Sequence, residues 1–166
     1  MIRNGYTIEP RADLRKAGLS GADLQWADLQ WANLRWANLW KANLWGANLR
    51  WANLWGADLR WANLRSADLR SADLRWANLR EADLRWANLW KANLRNADLR
   101  NADLEGSNLI DLGVDPRGYR FVAVPHDDGC RIAAGCRWFT LPEALAHWAN
   151  NPDAMARLAL LEGREP

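Results

Sequence analysis

The chain is poor in residues that staple, ligate or break structure. Among 166 residues there are two cysteines, two histidines, two methionines, two phenylalanines, two tyrosines and six prolines. Two thiols are too few to frame a disulfide-stapled secreted domain, so stability has to come from packing. No stretch reaches the roughly 18 apolar residues that a membrane-spanning helix needs, and Met1 to Pro10 has neither the basic start nor the apolar run of a secretory signal. The expectation is a cytoplasmic protein without membrane contact. Charge of one sign is lacking too. Lys and Arg number 22 against 20 Asp and Glu, and a net charge of +2 gives no steering toward nucleic acid or anionic lipid.

What the chain has in excess is tryptophan, thirteen residues of it, and a period of five. From Arg11 to Ile110 run twenty consecutive pentads of the form x-Ala-Asp/Asn-Leu-x, from Arg11-Ala12-Asp13-Leu14-Arg15 to Gly106-Ser107-Asn108-Leu109-Ile110. Leu fills its slot every time; Ala fails only at Ser107 and Asp/Asn only at Gly18. On an α-helix each Leu would land about 140° from the last and no apolar stripe would form. On a flat strand an odd period sends successive Leu to opposite faces. Something must turn the chain every five residues. In an extended segment Ala and Leu share one side and the Asp/Asn between them faces the other, so a bend after each Leu lets every Ala and Leu point at one axis. Stacked coils about 4.8 Å apart then satisfy one another's backbone.

These repeated Ala-Asp-Leu-x-x and Ala-Asn-Leu-x-x units closely resemble the pentapeptide-repeat proteins. The resemblance covers residues 11–110 and implies a right-handed, four-sided β-helix with one pentad per side and the central Leu inward. The fold class expected is therefore an all-β solenoid of about five coils, on the order of 24 Å long, with a small α+β cap at its C-terminal end. Leu34, Leu54, Leu74 and Leu94, spaced by twenty residues, stand for its structural core. Residues 1–10, with Tyr6 and Ile8 alternating before Pro10, read as a capping strand, and residues 111–166 as a capping or dimerisation module. A column filled by Ala and Leu leaves no cavity to desolvate a substrate, so an enzyme is not expected.

The exterior belongs to the Asp/Asn slot and the two variable slots. Asp occurs nine times and Asn ten times before Leu, which suits turn-forming side chains better than a calcium ladder. Eleven tryptophans occupy variable slots. Counting in twenties spreads them over all four corners, as expected of indoles that clad the rod and stack on neighbouring Arg. The alternative is a binding surface, since this much indole marks partners. Corner one is its best candidate, with Trp36, Trp55 and Trp76 on successive coils and Arg35 and Arg75 beside them. The expected partner is an unidentified protein.

Arg fills the last slot of eleven pentads, and the unbroken run from Arg60 to Arg85 circles the rod rather than forming the stripe a nucleic acid needs. Asp58, Asp68, Asp73 and Asp83 stand two residues before Arg60, Arg70, Arg75 and Arg85 and partly neutralise them. The family's quinolone-resistance branch resembles duplex DNA and acts on DNA gyrase. This chain departs from it, with 15 basic against 11 acidic residues over positions 11–110 and no projecting loop. Modulation of gyrase or another topoisomerase, or nucleic-acid binding, is the alternative function.

After Ile110 the composition changes. Tyr119 to Val124 alternates like a strand, His126-Asp127-Asp128-Gly129 reads as a turn, and Cys130 to Ala134 as the returning strand. Thr140-Leu141-Pro142-Glu143 is a capping box for a helix to about Ala149. Asn151-Pro152-Asp153 opens a second helix with Met155, Leu158, Leu160 and Leu161 as a docking face. The segments around Gly118-Tyr119-Arg120-Phe121, Gly135-Cys136-Arg137-Trp138 and Ala146-His147-Trp148 resemble a module of phage and prophage proteins, which implies a phage-encoded accessory protein. The second helix and Trp148 either pair two rods as a homodimer or cover Leu104 and Leu109 in a monomer. His126, Cys130, Cys136 and His147 have zinc-ligand chemistry but lack a close Cys pair, so buried structural cysteines are expected, with no metal and no cofactor.

Overall fold

A computed structural model describes residues 1–115, 118–135 and 137–161. Cys136, weighed above as a zinc ligand, lies outside them. Between Asp13 and Asp103 isolated parallel bridges join the Asp/Asn slot of each pentad, or Gly18, to the slot twenty residues on. The register never slips, as the unbroken period requires.

The pentad pattern follows from an accounting of backbone donors, because an unpaired buried N–H is costly. In the pentad around Leu54, Asn53 N–H reaches back to the Ala32 carbonyl (2.9 Å), Leu54 N–H reaches forward to Asp73 (2.8 Å), and Gly56 N–H reaches forward to Arg75 (2.9 Å). Ala57 N–H closes the turn on the Leu54 carbonyl at 3.0 Å. The remaining donor, Trp55 N–H, is accepted by Asn53 Oδ1 at 3.1 Å. This last bond explains the Asp/Asn slot, since a carboxylate and a carboxamide serve it equally. Each corner is a Leu-x-x-Ala turn whose third residue has positive φ, the geometry of a type II turn. All twenty first slots, from Arg11 to Gly106, adopt it, although only four carry glycine.

Ala and Leu line one dry column. Leu34, Leu54, Leu74 and Leu94 are buried with their neighbours in a single cluster that runs from Ile8 to Leu109.

Side chains close the first circuit. Residues 1–10 form a hairpin and not the single strand expected. β1 (Ile2–Arg3) pairs with β2 (Tyr6–Thr7) across Asn4-Gly5, both with positive φ, as a type I′ turn demands. Arg3 Nε donates to the Asp23 carbonyl (2.7 Å) and Asn4 Nδ2 to the Gly18 carbonyl (3.1 Å), so neither oxygen is left without a donor where no circuit precedes. The Tyr6 hydroxyl accepts from Gly18 N–H at 3.2 Å.

At the other end stands a four-stranded antiparallel sheet in the order β3 (Ile110–Val114), β4 (Arg120–His126), β5 (Gly129–Ala134), β6 (Arg137–Thr140). The β4–β5 hairpin was expected; β3 and β6 were not. Helix α1 (Leu141–Trp148) carries the capping box between Thr140 and Glu143, and α2 (Pro152–Leu158), capped by Asn151, leads into a 3-10 turn at Ala159–Leu161.

β4 is buried on both sides. Val122 and Val124, with Ala133 of β5, join the core of the rod, while Phe121, Ala123, Ile132 and Ala134 pack against Ala144, Ala154, Leu158 and Leu161 of the helices. The helices therefore do not cover Leu104 and Leu109; the sheet stands between them and the rod. The docking face of α2 also differs, since Leu160 is 51% exposed and Ala154 takes its place. The sheet continues the ladder of the repeats. Lys91 N–H donates to the Pro125 carbonyl at 2.9 Å, where an unbroken repeat would offer residue 110. Lys91 also pairs with Asp127, and Arg120 Nη1 donates to the Ala102 carbonyl. Among the described residues no helix is long and apolar enough to cross a membrane.

Candidate interaction surface

Each pentad that combines Asp before Leu with Arg after it closes a bidentate fork, because the two side chains leave the same outward side. Arg60 on Asp58, Arg70 on Asp68, Arg75 on Asp73, Arg85 on Asp83 and Arg100 on Asp98 all do so, with Nη2–Oδ2 separations of 2.5–2.6 Å. Arg15 and Asp13 make the same pair. The forks hold the Asp58 and Asp83 carboxyls below the usual carboxylate range through hydrogen bonds from Arg60 and Arg85, and raise the guanidinium pKa values in return. At Asp68 burial pushes the carboxyl up, and the bonds from Arg70 outweigh it. Pentads with Asn leave Arg35, Arg50, Arg65, Arg80 and Arg95 without a carboxylate of their own.

The first-slot turn aims its side chain along the rod. Trp26, Trp36 and Trp86 lie over Gly46, Gly56 and Gly106 of the next circuit, where a Cβ would come within 2.3–2.5 Å of the indole. Each of these glycines stands twenty residues after its tryptophan. That spacing is visible in the sequence and is the signal that sequence reasoning missed.

On corner one the structure brings three of the five expected residues together. Trp36 meets Trp55 edge to face at a centroid separation of 4.5 Å, and the Arg35 guanidinium lies 4.7 Å from the Trp55 centroid. Arg75 is committed to Asp73. Trp76 is 58% exposed and pairs with no other ring among the described residues. Other corners carry comparable clusters. Trp26 meets Trp45 at 4.9 Å, Trp31 stacks on Trp51 at 4.7 Å and 7°, and Lys41 lies over Trp40 at 4.4 Å. Trp26 to Trp61 thus forms a girdle around the rod, with eight indoles in 36 residues.

The remaining polar groups of the module do not converge. His126 is half-buried beside Trp138, and burial holds its pKa down. Burial pushes the Cys130 thiol up, away from the reactive thiolate form. His147 is exposed and packs on Phe139 and Trp148. Among the described residues no group of three His, Cys, Asp or Glu side chains is placed to hold a metal ion. Trp148 is half-buried against Phe121 and Phe139 of its own chain.

A family model described as pentapeptide repeats matches residues 10–30, 27–65, 42–80 and 77–111, in eight copies. Among solved structures, a pentapeptide-repeat protein of the Arabidopsis thaliana thylakoid lumen is 34% identical, with 59% of this chain and 72% of that one covered and a TM-score of 0.50. The pentapeptide-repeat protein Rfr23 of the cyanobacterium Cyanothece 51142 is 42% identical over 48% of this chain, with a TM-score of 0.48, and the chain spans 54% of its length. QnrB1, a plasmid-mediated fluoroquinolone resistance protein, is 24% identical over 58% of this chain and 55% of its own, with a TM-score of 0.30. Among curated protein sequences none matches.

Proposed function

Because the chain belongs to the pentapeptide-repeat family, we propose that it is a right-handed quadrilateral β-helix of five coils that acts by contact, as a non-enzymatic scaffold for a protein partner. Proteins of this family are in general structural or protein-binding. The observation that carries the reading is the indole surface itself. Trp36 and Trp76 are 51% and 58% exposed, more apolar surface than a rod with a complete Ala/Leu core needs for its own stability. Beside them Arg35, already seated on Trp55, adds the residue type that most often anchors an interface. Corner one is the binding edge, with Trp36, Trp55, Trp76 and Arg35 as its anchors and Arg75 holding the edge through Asp73. The likeness of the terminal module to phage proteins makes a phage-encoded accessory role part of the same proposal.

Replacing Trp36, Trp55 and Trp76 together by serine tests it. The far-ultraviolet β-signal should stay and capture of the partner from a host lysate should disappear; undiminished capture would return the three indoles to cladding. A gyrase supercoiling assay at micromolar protein separates this reading from topoisomerase modulation, which requires a change in supercoiling.

A further inference from the structure

The junction of rod and module forms a half-open cavity of about 890 Å³, a size suited to a small-molecule ligand. Four aromatic side chains from separate parts of the fold line it: Trp76 of corner one, Tyr119 and Phe121 of the sheet, and Trp148 at the end of α1. Two of these rings already carry a cation. Arg100, forked on Asp98, lies 5.6 Å from the Tyr119 centroid, and Arg157 lies 5.8 Å from that of Phe121. Trp148 packs on Phe121, Phe139 and His147, so the ring face left to a ligand is that of Trp76, which is 58% exposed.

The lining guanidiniums differ in how they are matched. Arg100 is neutralised by Asp98. Arg157 donates to the carbonyls of Leu112 (3.2 Å) and Val114 (2.7 Å), which satisfy its hydrogens without cancelling its charge. The side chain of Arg137, exposed at the start of β6 where the backbone pairs with Ala134, makes no hydrogen bond or ion pair among the described residues. On the acidic side, Asp115 accepts from Tyr119 N–H at 2.9 Å, and Asp153 stands exposed in the first turn of α2. A cation drawn to Asp153 would meet the uncancelled charges of Arg157 and Arg137. An anion would meet Arg157 and Arg137.

We propose that this cavity is a binding site for one planar aromatic molecule with an anionic group, its ring against Trp76 and its charge toward Arg137 and Arg157. The site shares Trp76 with corner one, but small-molecule binding is read separately from partner capture.

Fluorescence titration with 8-anilinonaphthalene-1-sulfonate tests the proposal, with uncharged N-phenyl-1-naphthylamine as the comparison. One molecule of the sulfonate should bind per chain, and more tightly than the uncharged analogue. Arg137→Glu should weaken the sulfonate about tenfold, the scale of one charge-assisted contact. Asn96→Trp should block the cavity. Asn96 lines it from a first slot of corner one, where Trp36 and Trp76 show that the turn accepts indole. Trp61→Ser, in the girdle and outside the cavity lining, should leave the affinity unchanged. Equal binding of the two probes, or full affinity in Arg137→Glu, would overturn the assignment. So would several sulfonates per chain whose number falls in Trp61→Ser, the signature of adhesion to the girdle.

Discussion

Gly56 sits beneath the indole of Trp36, and replacing it by alanine measures what that contact is worth. Its φ is +67°, and the new Cβ would lie 2.4 Å from Trp36 Cε3. Two costs follow. A side chain in left-handed geometry costs about 1–2 kcal/mol, offset by about 0.4–1 kcal/mol because alanine restricts the unfolded chain. The backbone share is therefore about 1 kcal/mol. The steric share is the displacement of Trp36. Half-exposed, that indole covers about 100 Å² of surface, and at ~25 cal/mol per Å² its full release would cost about 2.5 kcal/mol. Gly56→Ala should thus lose up to about 3.5 kcal/mol in the native background and only about 1 kcal/mol in a Trp36→Ala background, a coupling of up to about 2.5 kcal/mol. Urea unfolding followed by circular dichroism reads both as shifts of midpoint at constant slope. Equal losses in the two backgrounds would show that the indole does not rest on the glycine.

Other perturbations address the turns, the polar ladder and the titrating groups. At Trp61, with φ +60°, glycine should be more stable than alanine by about 0.5–1 kcal/mol, because relief of the left-handed turn outweighs unfolded-chain entropy; comparing the two variants in urea checks this. Asn63 Oδ1 accepts from Arg65 N–H and its Nδ2 donates to Asn43 Oδ1, each at 3.1 Å. Asn63→Ala should cost about 1–3 kcal/mol by orphaning a backbone donor, whereas Asn63→Asp, which keeps the acceptor, should cost less. The carboxyls of Asp58 and Asp83 titrate below their unfolded value near 4, so the stability they add is complete above that pH and is lost as pH falls through the lower folded values. Melting temperature should drop as pH falls below about 4, and Arg60→Gln with Arg85→Gln should flatten that slope. His126 is held neutral by burial, so below about pH 6.5 the unfolded chain takes up its proton first and stability falls. His126→Gln should abolish that part of the pH dependence in melts between pH 7 and pH 5.

The rod was legible in the sequence because its determinants repeat. Ala and Leu two apart specify an inward side, and an Asp/Asn between them specifies the acceptor for the next donor but one. The capping box at Thr140 was legible for the same reason, being a local bond between neighbours. The hairpin at Asn4-Gly5 is written in a standard turn pair and yet reads as one strand, because two-residue strands are too short to show alternation. β4 misled in another way. Tyr119 to Val124 reads as a one-sided strand, but Phe121 to Val124 are all buried, since the sheet is packed between two cores and nothing local says so. The candidate site divides likewise. Trp36, Trp55 and Arg35 meet because twenty-residue counting brings them together. The junction cavity joins Trp76 to Trp148 and Arg157, residues related by no period, and only the folded chain assembles it.

The twenty-residue bonding period makes length a stepwise quantity in this molecule. Excising a whole circuit, such as residues 46–65, would present the sheet with the same four sides in the same order, and Pro125 would still meet a first-slot donor in the position of Lys91. Removing a single pentad would bring that donor a quarter-turn out of phase, and Asp127 and Arg120 would face the wrong side. Duplication and loss of repeats can therefore shorten or extend this protein without redesign of its terminal module only in multiples of four, a rule that homologous chains of different size put to the test.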